Sequence, residues 1–243
     1  MDKNNLYVPL KNKNNKYFTE VKELLKTSKK DIEEIKKYKS RTNYLKNNNS
    51  KLGKGIYSFD LPAVISCPNS DECFKTCYAN KGSFLYKSTK VSNTYNYIIA
   101  LHDINHLKSE LIREIKINDI RTIRIHSSGD FFTKEYFLLW VAIANKFKDT
   151  LKIFTYSKAP QIENFTLPSN LNIISSFITY NNKKVLNYGQ YEPMKKIAKS
   201  VKGLLCPISK GNHLNLDKLK SPNFNCTICK YCITKSKPVF IQH

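Results

Sequence analysis

The sequence predicts an α/β protein: a partial (β/α) barrel or open parallel sheet, with an N-terminal helical arm and a C-terminal cysteine-rich metal-binding segment. Three observations carry that expectation. Short β-rich runs alternate with longer helical stripes through the middle of the chain. The 243 residues, 41% of them hydrophobic, are enough to bury a core. All seven cysteines fall in two neighbourhoods instead of being scattered as small core residues. The strand–helix units are too few for a complete eight-stranded barrel.

Residues 1–16 are polar and basic and read as a loose arm. From Tyr17 to Tyr38 the residues Phe18, Val21, Leu24, Leu25, Ile32 and Ile35 recur at helical spacing, as one helix or two. Arg41 to Lys54 is polar again, with Asn47-Asn48-Asn49-Ser50 as an exposed linker. This sets a basic arm at residues 1–50, an α/β core at 51–203 and a cysteine-rich segment, packed on the core, at 204–243.

Ile56-Tyr57-Ser58-Phe59 reads as the first strand, ended by Leu61-Pro62. Ser92 to Ile117 reads as one long helix whose apolar stripe is Ile98, Leu101, Ile104, Leu107, Leu111 and Ile115. Thr122 to His126 alternates as a strand and runs into Ser127-Ser128-Gly129-Asp130. Thr133 and Glu135 open the next helix, with Phe137, Trp140, Val141 and Ala144 on its buried face. Leu151 to Tyr156, Leu171 to Phe177 and Leu204-Leu205 are further strands. Pro222 to Cys232 is a cysteine-bearing loop, and Val239 to His243 is an apolar tail.

With 41 Lys+Arg against 19 Asp+Glu, the formal net charge is +22. Such a charge attracts polyanions, which makes nucleic acid an expected partner. Only four of those basic residues are Arg, the bidentate reader of bases and phosphates. Lys also crowds with Asn, as in Lys46-Asn47-Asn48-Asn49, a pattern an A/T-rich genome writes whatever the protein does. A solvated Lys-coated surface therefore stands beside nucleic-acid binding as an alternative. The longest apolar run, Phe137 to Ala144, is far short of the roughly 20 residues a membrane span needs. With an odd cysteine count and no apolar leader in the opening residues, the expectation is a cytoplasmic protein with reduced thiols.

Cys67, Cys73 and Cys77 are spaced C-x5-C-x3-C; Cys226, Cys229 and Cys232 are spaced C-x2-C-x2-C, with Cys206-Pro207 upstream. An overlapping C-x2-C-x2-C plus a distant Cys-Pro suits a [4Fe–4S] cluster, with zinc as the competing occupant of this second site. The first set supplies three thiols. Three ligands leave one iron of a cubane open for chemistry; zinc completed by His102, His126 or His243 is the alternative. The loop follows a strand and precedes a helix, so it sits where α/β folds bind ligands. The turn Ser127-Ser128-Gly129-Asp130 ends the next strand. Its small residues let backbone approach a ligand, and Asp130 is placed to bind an amino group or to cap the following helix. His126 is a proton carrier, a supporting hydrogen-bond donor or a satisfied core histidine.

Several segments together resemble the phage and plasmid "gene product 88" family. They are Ser50-Lys51-Leu52-Gly53-Lys54, Leu61-Pro62-Ala63, Cys67-Pro68, Cys77-Tyr78-Ala79, Arg124-Ile125-His126-Ser127-Ser128-Gly129-Asp130-Phe131-Phe132 and Glu135-Tyr136. The likeness continues through Trp140, Thr155-Tyr156-Ser157-Lys158, Cys206-Pro207, the final cysteine run and His243, over residues 50–243. It implies a mobile-genetic-element setting more than an activity. More loosely, the chain resembles radical S-adenosylmethionine enzymes. That resemblance implies a radical-SAM-like partial barrel, an open [4Fe–4S] cluster on Cys67, Cys73 and Cys77, and S-adenosylmethionine met by Ser127, Ser128, Gly129 and Asp130. It also implies an auxiliary [4Fe–4S] cluster on Cys206, Cys226, Cys229 and Cys232, and an electron donor as partner. The spacing departs from the usual C-x3-C-x2-C. The expected activity is that of an iron–sulfur enzyme acting on a nucleotide or nucleic acid, with His126 and Asp130 in catalytic roles. The alternative is a metal-stabilised nucleic-acid-binding or replication accessory protein without catalysis.

Overall fold

A computed structural model describes residues 43–47, 49, 52–68, 77–80, 82–159, 165–181, 183–186, 188–189, 191–202, 204–206, 226–234 and 238–241. The arm helix expected between Tyr17 and Tyr38, Cys73 and His243 lie outside the described residues.

Strands β1 (Ile56–Phe59), β2 (Thr122–Ile125), β3 (Lys152–Ser157) and β4 (Leu171–Ser175) form one parallel sheet in the order β1-β2-β3-β4. Helices α1 (Lys87–His102) and α2 (Ile104–Ile117) make the first crossover, and α3 (Lys134–Lys146) the second. The architecture is thus α/β with an open run of four parallel strands among the described residues. Period-two alternation gives the sheet two faces. Tyr57, Phe59, Ile123, Ile125 and Ile153 belong to the large core with the helices, where Phe59 meets Trp140 edge to face at 5.3 Å. Ile56 and Phe154 instead form a second cluster with Leu52, against which Cys226, Cys232 and Ile233 pack.

That second face is where the C-terminal cysteine segment is fastened. Cys226–Cys229 is a single helical turn followed by a 3-10 turn over Tyr231–Thr234. Thr227 donates from its backbone N–H (3.1 Å) and from its hydroxyl (2.9 Å) to the Leu52 carbonyl. The Asn172 amide donates to the Cys232 carbonyl at 2.6 Å.

The expected long helix over Ser92 to Ile117 is two helices. Asp103, at φ −149°, leaves the helical conformation, and its carboxylate accepts from the His106 N–H at 3.0 Å as the cap of α2. The break resets the phase, so Leu101, assigned to the stripe, is 40% exposed while Leu107 and Leu111 are fully buried. The expected strand Leu171 to Phe177 is also two elements: β4 stops at Ser175, and β5 (Phe177–Tyr180) pairs antiparallel with β6 (Lys183–Leu186). The apolar tail is β9 (Pro238–Ile241), lying between β7 (Tyr188–Gly189) and β8 (Leu204–Leu205) beside α4 (Tyr191–Ser200).

The stretch Arg41 to Lys54, read as polar, contributes core residues. Tyr44 is fully buried and Leu45 nearly so, and Lys46 pairs with Ser58 as an antiparallel bridge on β1. Their partner is Glu114 of α2, buried to 2% exposure; its two carboxylate oxygens accept the Tyr44 N–H at 2.5 Å and the Leu45 N–H at 3.0 Å. A carboxylate accepting two backbone N–H groups from a sequence-distant segment is a tie that hydropathy alone cannot forecast.

Candidate functional site at the carboxyl ends of the strands

The turns leaving β1, β2 and β3 are laced together. His126 donates its N–H to the Phe59 carbonyl at 2.8 Å, and Leu61 donates to the Ser128 carbonyl at 3.0 Å. Ser128 returns a hydroxyl bond to the Leu61 carbonyl at 2.7 Å, and the Asp130 N–H reaches the Ser66 carbonyl at 3.2 Å. Gly129 sits at φ +87°, and a Cβ there would stand 2.6 Å from both Leu61 Cβ and Ser66 Oγ. Its missing side chain is therefore filled by the neighbouring turn, a packing reason for glycine alongside the ligand-approach role expected from sequence.

Asp130 is buried and engaged. One oxygen accepts from the Phe131 N–H (2.7 Å) and the Ser157 hydroxyl (2.6 Å), the other from the Lys158 N–H (2.8 Å). Three of roughly four acceptor positions of a carboxylate are filled from within the chain. Asp130 thus ties the β2 turn to the β3 turn. Burial pushes its carboxyl up to about 6, against the pull of these donors. The methionine amino group expected there would meet an acid that already has its partners, so the fit of S-adenosylmethionine at Asp130 is poor.

His126 adopts φ +63°, packs on Phe131 with ring centroids 4.7 Å apart, and shares a hydrogen bond with the Tyr136 hydroxyl at 2.9 Å. Burial lowers its pKa to about 3, so it is a neutral imidazole at ordinary pH. Of the roles open from sequence, the surroundings match a satisfied core histidine.

The sequence reading assigned no role to Asp60, Tyr78 or Arg124, yet they join the turns. Asp60 follows β1 much as Asp130 follows β2. Its carboxylate accepts the Ser127 N–H at 2.7 Å, its carbonyl accepts from the Asn96 amide at 2.9 Å, and burial raises its pKa against the pull of Lys46 and Arg124. The Tyr78 hydroxyl donates to the Ser127 carbonyl. Two polar groups remain over: Ser127 Oγ and Arg124 Nε are buried and have no hydrogen-bond partner. A carboxylate directly after a strand was the legible signal for Asp60; nothing local marks the other two.

The thiols are gathered at two places. Cys67 and Cys77 are half-buried and both lie close enough to Tyr78 to influence its hydroxyl. On the opposite face of the sheet, Cys206 and Cys226 act on Cys232, whose thiol burial pushes up to about 12 while the Tyr156 hydroxyl bonds it. Such a thiol becomes a ligand when a metal draws off its proton. Among the described residues no three His, Cys, Asp or Glu side chains close into a metal-holding group, and Cys73 and the Cys229 side chain lie outside them. The donor chemistry, soft and half-buried sulfur at two places, fits iron–sulfur or zinc better than hard cations.

Fold and site define an α/β protein with an open parallel sheet, polar turns laced at the carboxyl ends of its strands, and thiols on both sides of them. The family model described as gene product 88 matches residues 23–219, most of the chain, and the chain belongs to that family. The match begins inside the N-terminal arm and ends before Cys226, where the resemblance read from motifs spanned residues 50–243. No curated protein and no solved structure matches the chain. Among the described residues no helix is long and apolar enough to cross a membrane.

Proposed function

We propose that the chain is an iron–sulfur enzyme in which Cys67, Cys73 and Cys77 hold an open [4Fe–4S] cluster and Cys206, Cys226, Cys229 and Cys232 hold a closed one. The observation that supports this is the gathering of described thiols from sequence-distant segments onto one sheet: Cys67 and Cys77 around Tyr78, Cys206 and Cys226 around Cys232. A three-thiol cluster supplies an electron and an iron open to a ligand, and in the radical-SAM-like version that ligand is S-adenosylmethionine. The chain's own residues hold the turns that frame the opening: Asp130 and Ser128 by their hydrogen bonds, His126 from the core side as a positioning residue. Ser127 Oγ is the hydroxyl left to meet a ligand. A nucleotide or nucleic acid is the substrate to try first, on the +22 charge and the mobile-element setting the family resemblance implies.

Anaerobic reconstitution should load roughly eight iron per chain, four for each cubane. Cys67→Ala and Cys77→Ala should each lose about half of that iron and leave the other cluster's spectrum intact, and Cys232→Ala should do the reverse. Zinc in place of iron at both sites would overturn the reading. Reduced protein mixed with S-adenosylmethionine tests the radical-SAM-like version, against which the filled acceptor positions of Asp130 count: an intact, reducible cluster without 5′-deoxyadenosine would remove the radical step and leave the iron.

One observation favours the second reading, nucleic-acid binding without catalysis. At the opposite, amino-terminal ends of the strands lies a groove of about 670 Å³ lined by Lys54, Arg121, Lys148, Lys152 and Lys230, with Asp149 the one acid among the described lining residues. Arg121 is paired with Asp119 at 2.6 Å. Replacing Lys54, Lys148, Lys152 and Lys230 together by Gln should weaken duplex binding and lower the slope of log affinity against log salt by up to about 4. An unchanged slope would remove this groove from nucleic-acid binding.

A further inference from the structure

Arg124 stands on β2 with its register neighbours Ser58 on β1 and Phe154 on β3, the latter in the cluster that the cysteine segment packs against. It is an unusual place for a guanidinium, which stays charged at any pH a folded protein meets and carries five N–H donors. Among the described residues no carboxylate lies within ion-pair distance of it, and its Nε is buried without an acceptor. The nearest candidate counter-ion, Asp60, spends one oxygen on the Ser127 N–H instead. The Tyr156 ring lies 5.4 Å from the guanidinium carbon, a cation–π contact that holds the group in place without giving Nε an acceptor.

The neighbours place this charge between the two sets of thiols. Arg124 interacts with Tyr78 and Asp60 on the side of Cys67 and Cys77, and with Tyr156 and Cys226 on the other. Ser127, whose backbone is held by Asp60 and Tyr78, carries the second orphaned polar atom, its Oγ. A buried guanidinium Nε and a buried hydroxyl, both without a hydrogen-bond partner and both beside Asp60 and Tyr78, are donors in want of one acceptor. Leaving buried donors without an acceptor is unfavourable, and on a cationic group the acceptor that best offsets the loss is an anion.

We propose that Arg124, assisted by Ser127, is the receptor for a carboxylate or phosphate group on a small-molecule ligand bound between the two cysteine neighbourhoods. This deepens the functional reading above and rests on it for the identity of the working site. The planar fork suits either oxyanion, and the two sources are separated by the probe.

The test is binding of inorganic phosphate and, separately, of acetate to the iron-loaded protein, followed by thermal unfolding. Wild type should rise in unfolding temperature with one of the two anions. Arg124→Gln should lose that rise, with apparent affinity at least tenfold weaker, while unfolding without anion no earlier than wild type. Arg124→Lys should recover part of the response, and Lys116→Gln, on the exposed surface of α2, should keep all of it. Equal shifts in wild type and Arg124→Gln would overturn the inference. So would an Arg124→Gln variant that keeps the anion response but has an altered cluster spectrum, since the guanidinium would then serve the thiolates. A protein that binds no iron yet shows the Arg124-dependent shift would overturn the iron–sulfur reading and leave this inference standing.

Discussion

Gly129→Ala is expected to destabilise the protein by roughly 2–5 kcal/mol, the largest loss from a single added methyl that the fold forecasts. Two terms act together. At φ +87° an L side chain is strained by about 1–2 kcal/mol. The new Cβ would also fall 2.6 Å from Leu61 Cβ and Ser66 Oγ, with the Leu61 backbone at 3.3 Å, and overpacking of that kind adds about 1–3 kcal/mol. Leu61 Cβ is anchored on the chain and cannot swing away, so the turn after β2 must move from the turn after β1. That movement pulls on the Leu61–Ser128 bonds and on the Asp130 N–H to Ser66 contact. The comparison is Gly82→Ala, also at positive φ (+56°) but with open space around the added methyl. Chemical denaturation should show Gly129→Ala well below Gly82→Ala; equal losses would mean that backbone strain alone acts and the close approach does not.

Acid should separate the buried imidazole of the site from its buried carboxyls: Asp60, also raised by burial, acts in the same sense as Asp130. The folded-state pKa of His126 is lowered to about 3, below its ordinary 6.5, so its stabilising effect is present above pH 6.5 and lost as pH falls toward 3. Asp130 is raised to about 6 from 3.8, so its contribution is fully present below pH 3.8 and lost as pH rises through 6. Between about pH 4 and 6 the carboxyl and imidazole slopes oppose each other, and that part of the profile should not fall with acid. Below about pH 4 only the histidine slope remains, and the protein should lose stability steeply. His126→Asn, a residue that tolerates positive φ, should flatten that acid limb although it lowers stability at neutral pH. Asp130→Asn should do the opposite and expose the histidine slope from about pH 6.5 downward. Urea midpoints measured at half-unit pH steps decide it: an acid limb unaltered in His126→Asn would remove the histidine as its cause.

How much of this was legible beforehand depends on which interactions set each element. β1, β2 and α3 were readable because their signals are local: period-two alternation for the strands, and a Thr133 hydroxyl accepting the Tyr136 N–H for the helix start. The division of α1 from α2 was not, because an apolar stripe runs across Asp103 and only the capped geometry reveals the reset. The same is true of Tyr44 and Leu45, whose neighbours in sequence are Lys and Asn but whose neighbours in space are Glu114 and the core. The hairpin of β5 and β6 and the helix α4 carry short or polar patterns that periodicity does not separate from loop.

The site divides along the same line. The sequence by itself determined the α/β class, the two groups of cysteines and the turn Ser127-Ser128-Gly129-Asp130 at a strand end, because spacing and composition are properties of the chain. Only the tertiary structure decided what the turn's residues touch. Asp130 is surrounded by donors from β3, Gly129 is filled by Leu61 and Ser66, and His126 is turned to Tyr136. It also decided that Arg124, half-buried as a residue, has a buried Nε without a hydrogen-bond partner. The physical reason is that burial and hydrogen-bond satisfaction belong to contacts between segments dozens of residues apart, and no local pattern records them.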